Sequence, residues 1–259
     1  MTILDKIIAH KKNEVEVCKS LKTIKELEKS IYYNSTCISL KKSLLDGSPS
    51  GIIAEYKRKS PSKGIINDSA SVEQTTYGYA SAGASALSIL TDKEFFGGTA
   101  DDIASVRKQI KLPILRKEFI IDEYQIIEAK SIGADVILLL ANVLSANDIK
   151  QFSTTAKWLG LEILLEIRDE SELDSINVLI DCVGVNNRNL KDFKVDVQQS
   201  FHLADKIPKG FVKISESGID SSKTIKELKN AGYKGFLIGE TFMKEPNPAQ
   251  ACKEFIAPL

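Results

Sequence analysis

The chain has 259 residues, and its 35 Lys and Arg residues balance 35 Asp and Glu residues, so its formal net charge at pH 7 is zero. Proteins that bind nucleic acid usually carry a basic excess, and this balance argues against that class. Hydrophobic residues make up 43 % and charged residues 27 % of the sequence, as in an ordinary soluble domain. The length fits one large domain, because single cores stop growing near roughly 250–300 residues.

The sequence lacks the features of a membrane or secreted protein. Its longest apolar run, residues 136–141, is far shorter than the roughly 20 residues of a membrane-spanning helix. The N-terminal residues mix acids and bases and do not resemble a signal peptide. The two histidines lie in no metal-ligand pattern, and no CxxC spacing occurs among the four cysteines, Cys18, Cys37, Cys182 and Cys252. We therefore expect a cytoplasmic protein that has no metal site and binds neither membrane nor nucleic acid.

Two amphipathic stretches open the chain. Residues 3–21 and 23–31 carry apolar residues at helical spacing and predict two helices. A regular repeat of strands begins only after them, so residues 1–50 are interpreted as a helical N-terminal extension. These helices could cover the amino end of the fold, close over its carboxyl end or mediate assembly. Because no linker rich in Gly, Ser or Pro follows them, we predict one domain over residues 1–259.

Eight short apolar runs follow, separated by stretches with helical spacing. The predicted strands are residues 51–56, 86–90, 113–117, 136–140, 162–167, 182–185, 211–215 and 235–238. A strand followed by a helix, repeated eight times, indicates an α/β fold, specifically a (β/α)8 TIM barrel. A doubly wound sheet is the competing fold, but it would more often show a GxGxxG motif or a P-loop, and neither is present.

Residues typical of helix ends support the same interpretation. Asp122, Ser145 and Ser221 or Ser222 stand where helix N-caps are expected. Four glycines stand where helices should end: Gly83, Gly133, Gly160 and Gly232. Each predicted helix therefore connects the end of one strand to the beginning of the next.

A charged pair occupies the first predicted strand and its continuation, IIAEYKRKSPSKG. Glu55 and Lys57 are two residues apart, so they point to the same face of a strand. Arg58 has the opposite parity and is expected to point towards the helices. The basic loop that follows, residues 59–64, is predicted to turn at Ser60-Pro61-Ser62 and to act as a lid.

Other predicted strands also end in charged residues, where (β/α)8-barrel enzymes place their chemistry. Lys117 shares a face with Leu115, so we expect burial to lower its pKa and make it a usable acid. We expect Glu166 to be a buried carboxylate with a raised pKa. Glu216 lies two residues after Ile214 and therefore points to the same face of its strand. A single such charge is more often an ion pair or a solvated strand end, but five at one end of a barrel favour a functional site.

An anion-binding site is indicated after the seventh and eighth strands. The loops there carry Ser217, Gly218 and Gly239, small residues whose backbone N–H groups can approach a phosphate. Gly218 and Gly239 could instead be ordinary turn glycines. Their occurrence in the two loops that usually bind phosphate favours the phosphate site.

Six motifs extend this interpretation along the chain. They are IAEYKRKSPSKG (53–64), LSILTD (87–92) with FFGG (95–98), PILRKEFIID (113–122), LE (165–166), GVNNRNL (184–190) and SESGI (215–219). In these motifs, and over essentially its whole length, the chain resembles the indole-3-glycerol-phosphate synthase family. The motifs of the first and sixth strands are the most specific ones, whereas SESGI is shared with other phosphate-binding barrels.

The resemblance implies a carboxy-lyase of tryptophan biosynthesis. The family's substrate is 1-(2-carboxyphenylamino)-1-deoxyribulose 5-phosphate, and the reaction closes a pyrrole ring with loss of carbon dioxide and water. It needs no cofactor, so the implied binding partner is a small phosphorylated molecule. We expect a monomer or a weak homo-oligomer.

The resemblance also assigns catalytic roles to matching positions. Lys117 matches the general acid of ring closure, and Glu166 matches the general acid/base of dehydration. Lys57 matches a lysine that holds substrate anions and assists proton transfer. Glu55 and Glu216 match carboxylates that orient the two lysines and the sugar hydroxyls.

Binding roles follow in the same way. Asn186 and Arg188 match polar contacts to the substrate chain, and Ser60 matches a residue near the anthranilate carboxylate. Phe96 and Phe119 match aromatic walls. The phosphate loop is matched by Ser217, Gly218 and Gly239.

Some positions depart from the family pattern. Glu118 stands where Asp is usual, Tyr56 where a small β-branched residue is common, and Arg168 where His is frequent. Glu240 stands after Gly239 where Ser is common, so one phosphate contact is expected to be lost and an acid to lie close by.

Two alternatives stay open at this level. A barrel of the phosphoribosylanthranilate isomerase type would use a Cys/Asp acid–base pair and would lack the lysines of the first and third strands. A non-catalytic phosphate-binding barrel would keep the phosphate loops, but it should not keep both Lys117 and Glu166.

Overall fold

The computed structural model describes residues 2–47, 50–189 and 193–259. Residues 1, 48, 49 and 190–192 lie outside this description, and with them Leu190, the last residue of the sixth-strand motif. Eight parallel strands close into a barrel in which each strand pairs with the preceding and following barrel strands. The predicted (β/α)8 barrel with a helical N-terminal extension is confirmed.

Every barrel strand begins and ends within one residue of its predicted bounds. The first is β1 (Ile52–Tyr56), followed by a small antiparallel hairpin of β2 (Lys59–Ser60) and β3 (Gly64–Ile65). The other barrel strands are β4 (Ala86–Leu90), β5 (Ile114–Lys117), β6 (Val136–Leu140), β7 (Glu162–Ile167), β8 (Cys182–Asn186), β9 (Val212–Glu216) and β10 (Gly235–Ile238). Strand β6 reads VILLL and is buried throughout, because one face packs inside the barrel and the other against helices.

Helices begin and end at the predicted caps. The side chains of Asp122, Ser145 and Ser221 accept hydrogen bonds from backbone N–H groups in the first turns. The four predicted C-terminal glycines have φ between +74° and +95°. The helices are α1 (Ile3–Leu21), α2 (Ile24–Leu27), α3 (Leu40–Lys42), α4 (Val72–Ser81), α5 (Lys93–Phe96), α6 (Ala100–Arg107), α7 (Glu123–Ser131), α8 (Ala146–Trp158), α9 (Gln198–Leu203), α10 (Ser222–Asn230), α11 (Glu240–Met243) and α12 (Pro248–Ile256), with a π turn at Ser43–Gly47 and a 3₁₀ helix at Glu170–Ser175.

The N-terminal extension runs from one end of the barrel to the other. Helix α1 lies at the carboxyl end, where its residues Ile3, Leu4 and Ile7 line a cleft. The chain then follows α7, and the hydroxyl of Tyr124 donates to the backbone oxygens of Cys18 (3.1 Å) and residue 22 (2.9 Å).

The second predicted helix is shorter than expected. Of residues 23–31, only Ile24–Leu27 are helical. The Ser30 hydroxyl, three residues beyond Leu27, donates to the backbone oxygen of Ser131 at the end of α7, 2.5 Å away. This tertiary contact holds the chain against α7 where the periodicity alone predicts a longer helix.

Residues 38–47 close the amino end of the barrel. Leu40 and Leu44 are buried and belong to an apolar cluster with residues of the strand interiors, among them Ile53. Backbone N–H groups of this segment donate to the carboxylates of Asp135 and Glu162. The extension therefore caps both ends of the barrel. Among the described helices, none combines the length and apolar character needed to cross a bilayer.

Candidate active site

Five charged side chains meet at the carboxyl end of the barrel. Nζ of Lys117 lies 2.8 Å from Oε2 of Glu166 and 2.8 Å from Oε2 of Glu216. Nζ of Lys57 lies 2.7 Å from Oε1 of Glu55. All five line the same cleft, so the structure brings together the five residues predicted to be catalytic.

Gly184 gives these carboxylates the room they need, a role that the sequence analysis missed. It pairs in register with Glu166 on one side and with Ile214 on the other. A Cβ atom at this position would lie 2.2 Å from Oε1 of Glu216. A glycine inside a strand often marks such a close approach, and that signal was available in the GVNNRNL motif.

The pKa of Lys117 shifts in the direction opposite to the prediction. Burial lowers it, as expected, but the negative charges of Glu166, Glu216 and Glu55 outweigh burial and raise the pKa above its ordinary value. The predicted lowered pKa is therefore wrong. Lys117 remains an ammonium ion at neutral pH, which suits it to stabilise a developing negative charge.

The two carboxylates that share Lys117 also differ from the prediction. At Glu166, burial favours the neutral acid, but Lys117 and a hydrogen bond from Asn186 outweigh it and lower the pKa. At Glu216, burial prevails over the attraction of Lys117, and repulsion from Glu166 adds to it, which raises the pKa to about 7. Oε1 of Glu216 is buried and has no hydrogen-bond partner among the described residues. The raised pKa predicted for Glu166 is thus found at Glu216.

A polar chain leads from this cluster to a neighbouring loop. Nδ2 of Asn186 donates to Oε1 of Glu166 (2.8 Å), and its Oδ1 accepts from the backbone N–H of Arg188 (2.9 Å). Nη2 of Arg188 lies 3.1 Å from Oε2 of Glu240, and Nζ of Lys63 lies 3.7 Å from Oε1 of Glu240. Glu240 therefore pairs with two cations beside the cleft.

The predicted aromatic walls and the loop after β1 also border the cleft. The ring centroids of Phe96 and Phe119 are 5.9 Å apart at an interplanar angle of 37°. Both line the cleft, as does Ser60 at the hairpin. Arg58 points away from it, as its parity predicts, and its guanidinium donates to both carboxylate oxygens of Asp102 in α6 (2.7 and 2.8 Å).

The three predicted phosphate residues line an adjoining part of the cleft, together with Lys57. Ser217 has φ +69°, a left-handed conformation that non-glycine residues adopt only at a cost, and Gly218 has φ +74°. A Cβ atom at Gly239 would lie 2.5 Å from Oε1 of Glu55. Both glycines are therefore required by geometry, Gly218 by its backbone conformation and Gly239 by close approach.

Ammonium and carboxylate groups that converge at the carboxyl ends of (β/α)8-barrel strands define an enzyme that carries out acid–base chemistry there. Comparison with known families identifies the enzyme family to which the chain belongs. The family model described as indole-3-glycerol phosphate synthase matches residues 4–255. The chain belongs to the indole-3-glycerol phosphate synthase family, whose members are carboxy-lyases of tryptophan biosynthesis.

Individual relatives agree with this family. The indole-3-glycerol phosphate synthase of Bacteroides thetaiotaomicron is 48 % identical over 254 residues, covering 98 % of this chain and 97 % of the relative. That of Caldanaerobacter subterraneus is 41 % identical over 243 residues, covering 93 % of each chain. The structure of 3-hexulose-6-phosphate synthase from Salmonella typhimurium has a TM-score of 0.62 at 13 % identity, covering 80 % of this chain and 98 % of that one, and is similar in fold.

Proposed function

We propose that the cleft closes the pyrrole ring of 1-(2-carboxyphenylamino)-1-deoxyribulose 5-phosphate with loss of carbon dioxide and water. One observation carries this proposal. Lys117 is held as an ammonium ion by Glu166 and Glu216, each 2.8 Å away, inside a cleft that adjoins the loops containing Ser217, Gly218 and Gly239. The reaction needs a fixed cation and a proton acceptor at the same place.

The anionic ends of the substrate fit two parts of the cleft. Backbone N–H groups of Ser217, Gly218 and Gly239 surround the phosphate, and Arg188 and Lys57 balance its charge. This assignment is supported by the left-handed backbone at the first two positions and by the lack of space for a side chain at the third.

The aromatic end of the substrate lies on the other side of Lys117. Phe96 and Phe119 contact the carboxyphenyl ring, and Ser60 lies near its carboxylate. The tilted arrangement of the two phenyl rings, both on the cleft surface, supports this placement. The reacting carbonyl is then held between phosphate and ring, next to Lys117.

Ring closure requires a cation where the carbonyl oxygen gains charge. The ring carbon that bears the carboxylate attacks the carbonyl carbon, and the carbonyl electron pair moves to oxygen. The Lys117 ammonium stabilises that oxygen and donates a proton to it, since its raised pKa keeps it charged until this step. Carbon dioxide then leaves the same ring carbon, and the electrons of the broken bond restore the aromatic ring.

Dehydration removes the new hydroxyl together with a proton from the neighbouring carbon. Glu166 accepts that proton, because its lowered pKa keeps it ionised, and it can return the proton to the leaving hydroxyl. Lys57, held by Glu55, interacts with the anionic groups of the substrate and assists this transfer. Glu216 orients Lys117 throughout.

The isomerase-type alternative lacks support in the cleft. Such an enzyme would need a Cys/Asp pair, whereas all four cysteines lie in the described residues and none lines the cleft or the phosphate loops. The family comparison also favours the synthase. The activity test below distinguishes the synthase from a non-catalytic barrel, which would form no product.

The proposal includes the setting of the reaction. We take the protein to be a single barrel domain that works without cofactor, as a monomer or weak homo-oligomer, on one small phosphorylated molecule. The four free thiols support a reducing, cytoplasmic compartment.

The direct test mixes purified protein with the carboxyphenylamino-deoxyribulose phosphate and records the fluorescence of the indole product. We expect product without any added cofactor. Failure to form product at any pH tested would contradict the proposed function and leave a phosphate-binding barrel.

A matched pair of variants on one strand tests the role of Glu166. Glu166→Gln at the carboxyl end of β7 should lower turnover roughly 10²-fold, because an amide cannot accept the proton. Glu162→Gln at the amino end of the same strand should keep turnover. Equal turnover in the two variants would place the general acid/base elsewhere.

A further inference from the structure

One lysine of α1 is buried, although lysines are almost never fully buried unless they are paired. Lys11, in the middle of the helix, is 1 % exposed. Its Nζ lies 2.9 Å from Oδ2 of Asp92, 2.9 Å from Oε1 of Glu118 and 3.0 Å from Oε1 of Glu14. A buried charge needs such partners, so α1 is held in place by two acids of the barrel and one of its own.

The two barrel acids also hold the aromatic side of the cleft. Asp92 follows β4, and its Oδ1 accepts the backbone N–H of Phe96 at 3.3 Å. Glu118 follows β5, and its Oε1 accepts the backbone N–H of Phe119 at 2.8 Å. Lys11 therefore bridges the two carboxylates that fix the backbones of both cleft phenylalanines.

Asp92 depends on Lys11 more than Glu118 does, because Glu118 also accepts from the Thr91 hydroxyl (2.6 Å) and lies 3.9 Å from the Arg116 guanidinium. Asp92 and Glu118 are 0 % and 3 % exposed. Oδ2 of Asp92 is paired with the Lys11 ammonium and has no other partner among the described residues. Removal of that ammonium would leave the buried Asp92 carboxylate without its paired cation and close to a second buried carboxylate, and the two groups would separate or take up water. Either response moves Phe96, Phe119 and α1.

We propose that Lys11 is a positioning residue that fixes α1, Phe96 and Phe119 as one wall against the aromatic part of the substrate. It acts through Asp92 and Glu118, since Lys11 itself does not line the cleft. The identity of the aromatic part, a carboxyphenyl ring, rests on the proposed function. The phosphate loops follow β9 and β10, which do not pair with β4 or β5 in the barrel, so they are separate from this wall.

This separation gives a readout that a general loss of stability would not produce. Anthranilate probes the aromatic half of the cleft, and inorganic phosphate probes the phosphate half. In Lys11→Met we expect the dissociation constant of anthranilate, measured by NMR titration, to rise about tenfold, and that of phosphate to change less than about twofold. With the full substrate, KM should rise more than kcat falls.

Two further variants serve as controls. Lys19→Met removes another paired lysine of α1, one that contacts Glu16 and Asp122 but is 37 % exposed and away from the cleft. It should bind both probes like the wild type. Lys11→Arg keeps the charge and should restore most of the anthranilate affinity.

Equal weakening of both probes in Lys11→Met, or no change in either, would overturn the proposal. If Lys11→Met does not fold, the double variant Lys11→Met/Glu118→Gln, which leaves one buried charge fewer, is titrated with the same expectations. Hydrogen exchange at the amides of Phe96 and Phe119 should be faster in the folded variant, and unchanged exchange would also overturn the proposal. The two titrations and the hydrogen-exchange experiment need no turnover. A wild-type protein that forms no indole would therefore refute the proposed function, whereas these experiments would still test the positioning role of Lys11.

Discussion

The N-terminal extension contacts both ends of this barrel, but it seals only the amino end. At the amino end, Leu40 and Leu44 fill the space between the strands with apolar side chains. At the carboxyl end, α1 lies beside a cleft into which five charged side chains point. Stabilising contacts and chemistry are thus separated along the barrel axis, as is usual in (β/α)8 barrels.

The carboxylates at the two ends differ in whether their oxygens have hydrogen-bond partners. Asp135 accepts a backbone N–H from residue 38 at 2.7 Å, and Glu162 accepts one from residue 41 at 2.9 Å, both at the amino end. Glu216, at the carboxyl end, keeps one buried oxygen without a hydrogen-bond partner in the described part of the chain. Asp135 and Glu162 thereby fix the chain, whereas Glu216 lines the cleft and keeps an oxygen that can accept a hydrogen bond from a bound molecule.

The largest effect on activity is expected at Lys117. Lys117→Ala should reduce turnover about 10³-fold, because it removes the general acid and the positive charge that meets the carbonyl oxygen. Circular dichroism should show a folded barrel. Lys213→Ala is the matched control, since Lys213 also lies on a barrel strand but donates to the backbone oxygen of Ala204 (2.7 Å). Turnover near the wild-type value in Lys117→Ala would remove this residue from its role.

At the amino end, the expected effect is on stability. Leu44 is 5 % exposed, and Leu44→Ala should lower the free energy of unfolding by about 2–5 kcal/mol, measured by urea denaturation. Turnover per folded molecule should stay unchanged. Ile7→Ala is the matching substitution at the carboxyl end, at 3 % exposure, and it should raise KM as well. A large loss of turnover in folded Leu44→Ala would break the division between the two ends.

Glu216 lies at the carboxyl end of the barrel, and its raised pKa predicts that the folded protein becomes less stable as pH rises. The carboxyl titrates at about 7 in the folded protein and at its ordinary value of 4.5 in the unfolded chain. Between these values the folded protein holds a proton that the unfolded chain has released, so stability falls as pH increases. Relative to Glu216→Gln, the wild type should lose about 2 kcal/mol of unfolding free energy from about pH 5 to about pH 8. A difference between the two proteins that stays constant with pH would contradict this.

The sequence predicted the strands well because each is a short apolar run bounded by polar residues or glycine. The faces were also predictable from alternation, so Lys57 and Arg58 point to opposite sides as expected. Periodicity did not predict where the helical segment after Thr23 would end. That depends on the contact between Ser30 and Ser131, which are 101 residues apart in the chain.

The directions of the pKa shifts could not be predicted from the sequence, because they too depend on contacts between residues that are far apart in the chain. Lys117 contacts partners 49 and 99 residues away, and whether burial or a partner prevails depends on those distances. The neighbours Lys11 and Lys12 look equivalent in the sequence, yet the first is buried in an ion-pair cluster and the second is exposed. Residue type and parity therefore locate charged groups on an element, but only tertiary packing decides which of them becomes buried.

The smallest effect is expected at Glu240, which follows Gly239 and lies near Lys63 in the hairpin after β1. Its carboxylate pairs with Arg188 at 3.1 Å and with Lys63 at 3.7 Å. Under the proposed function it therefore competes with the substrate phosphate for Arg188. Glu240→Gln should lower KM roughly two- to fivefold and leave kcat unchanged, because partly exposed ion pairs contribute at most about 1 kcal/mol. Glu245→Gln, an exposed acid five residues further on, is the control. A higher KM in Glu240→Gln would mean instead that Glu240 holds Arg188 in the position that binds phosphate. Glu240 would then have a structural role, like Asp135 and Glu162 at the amino end.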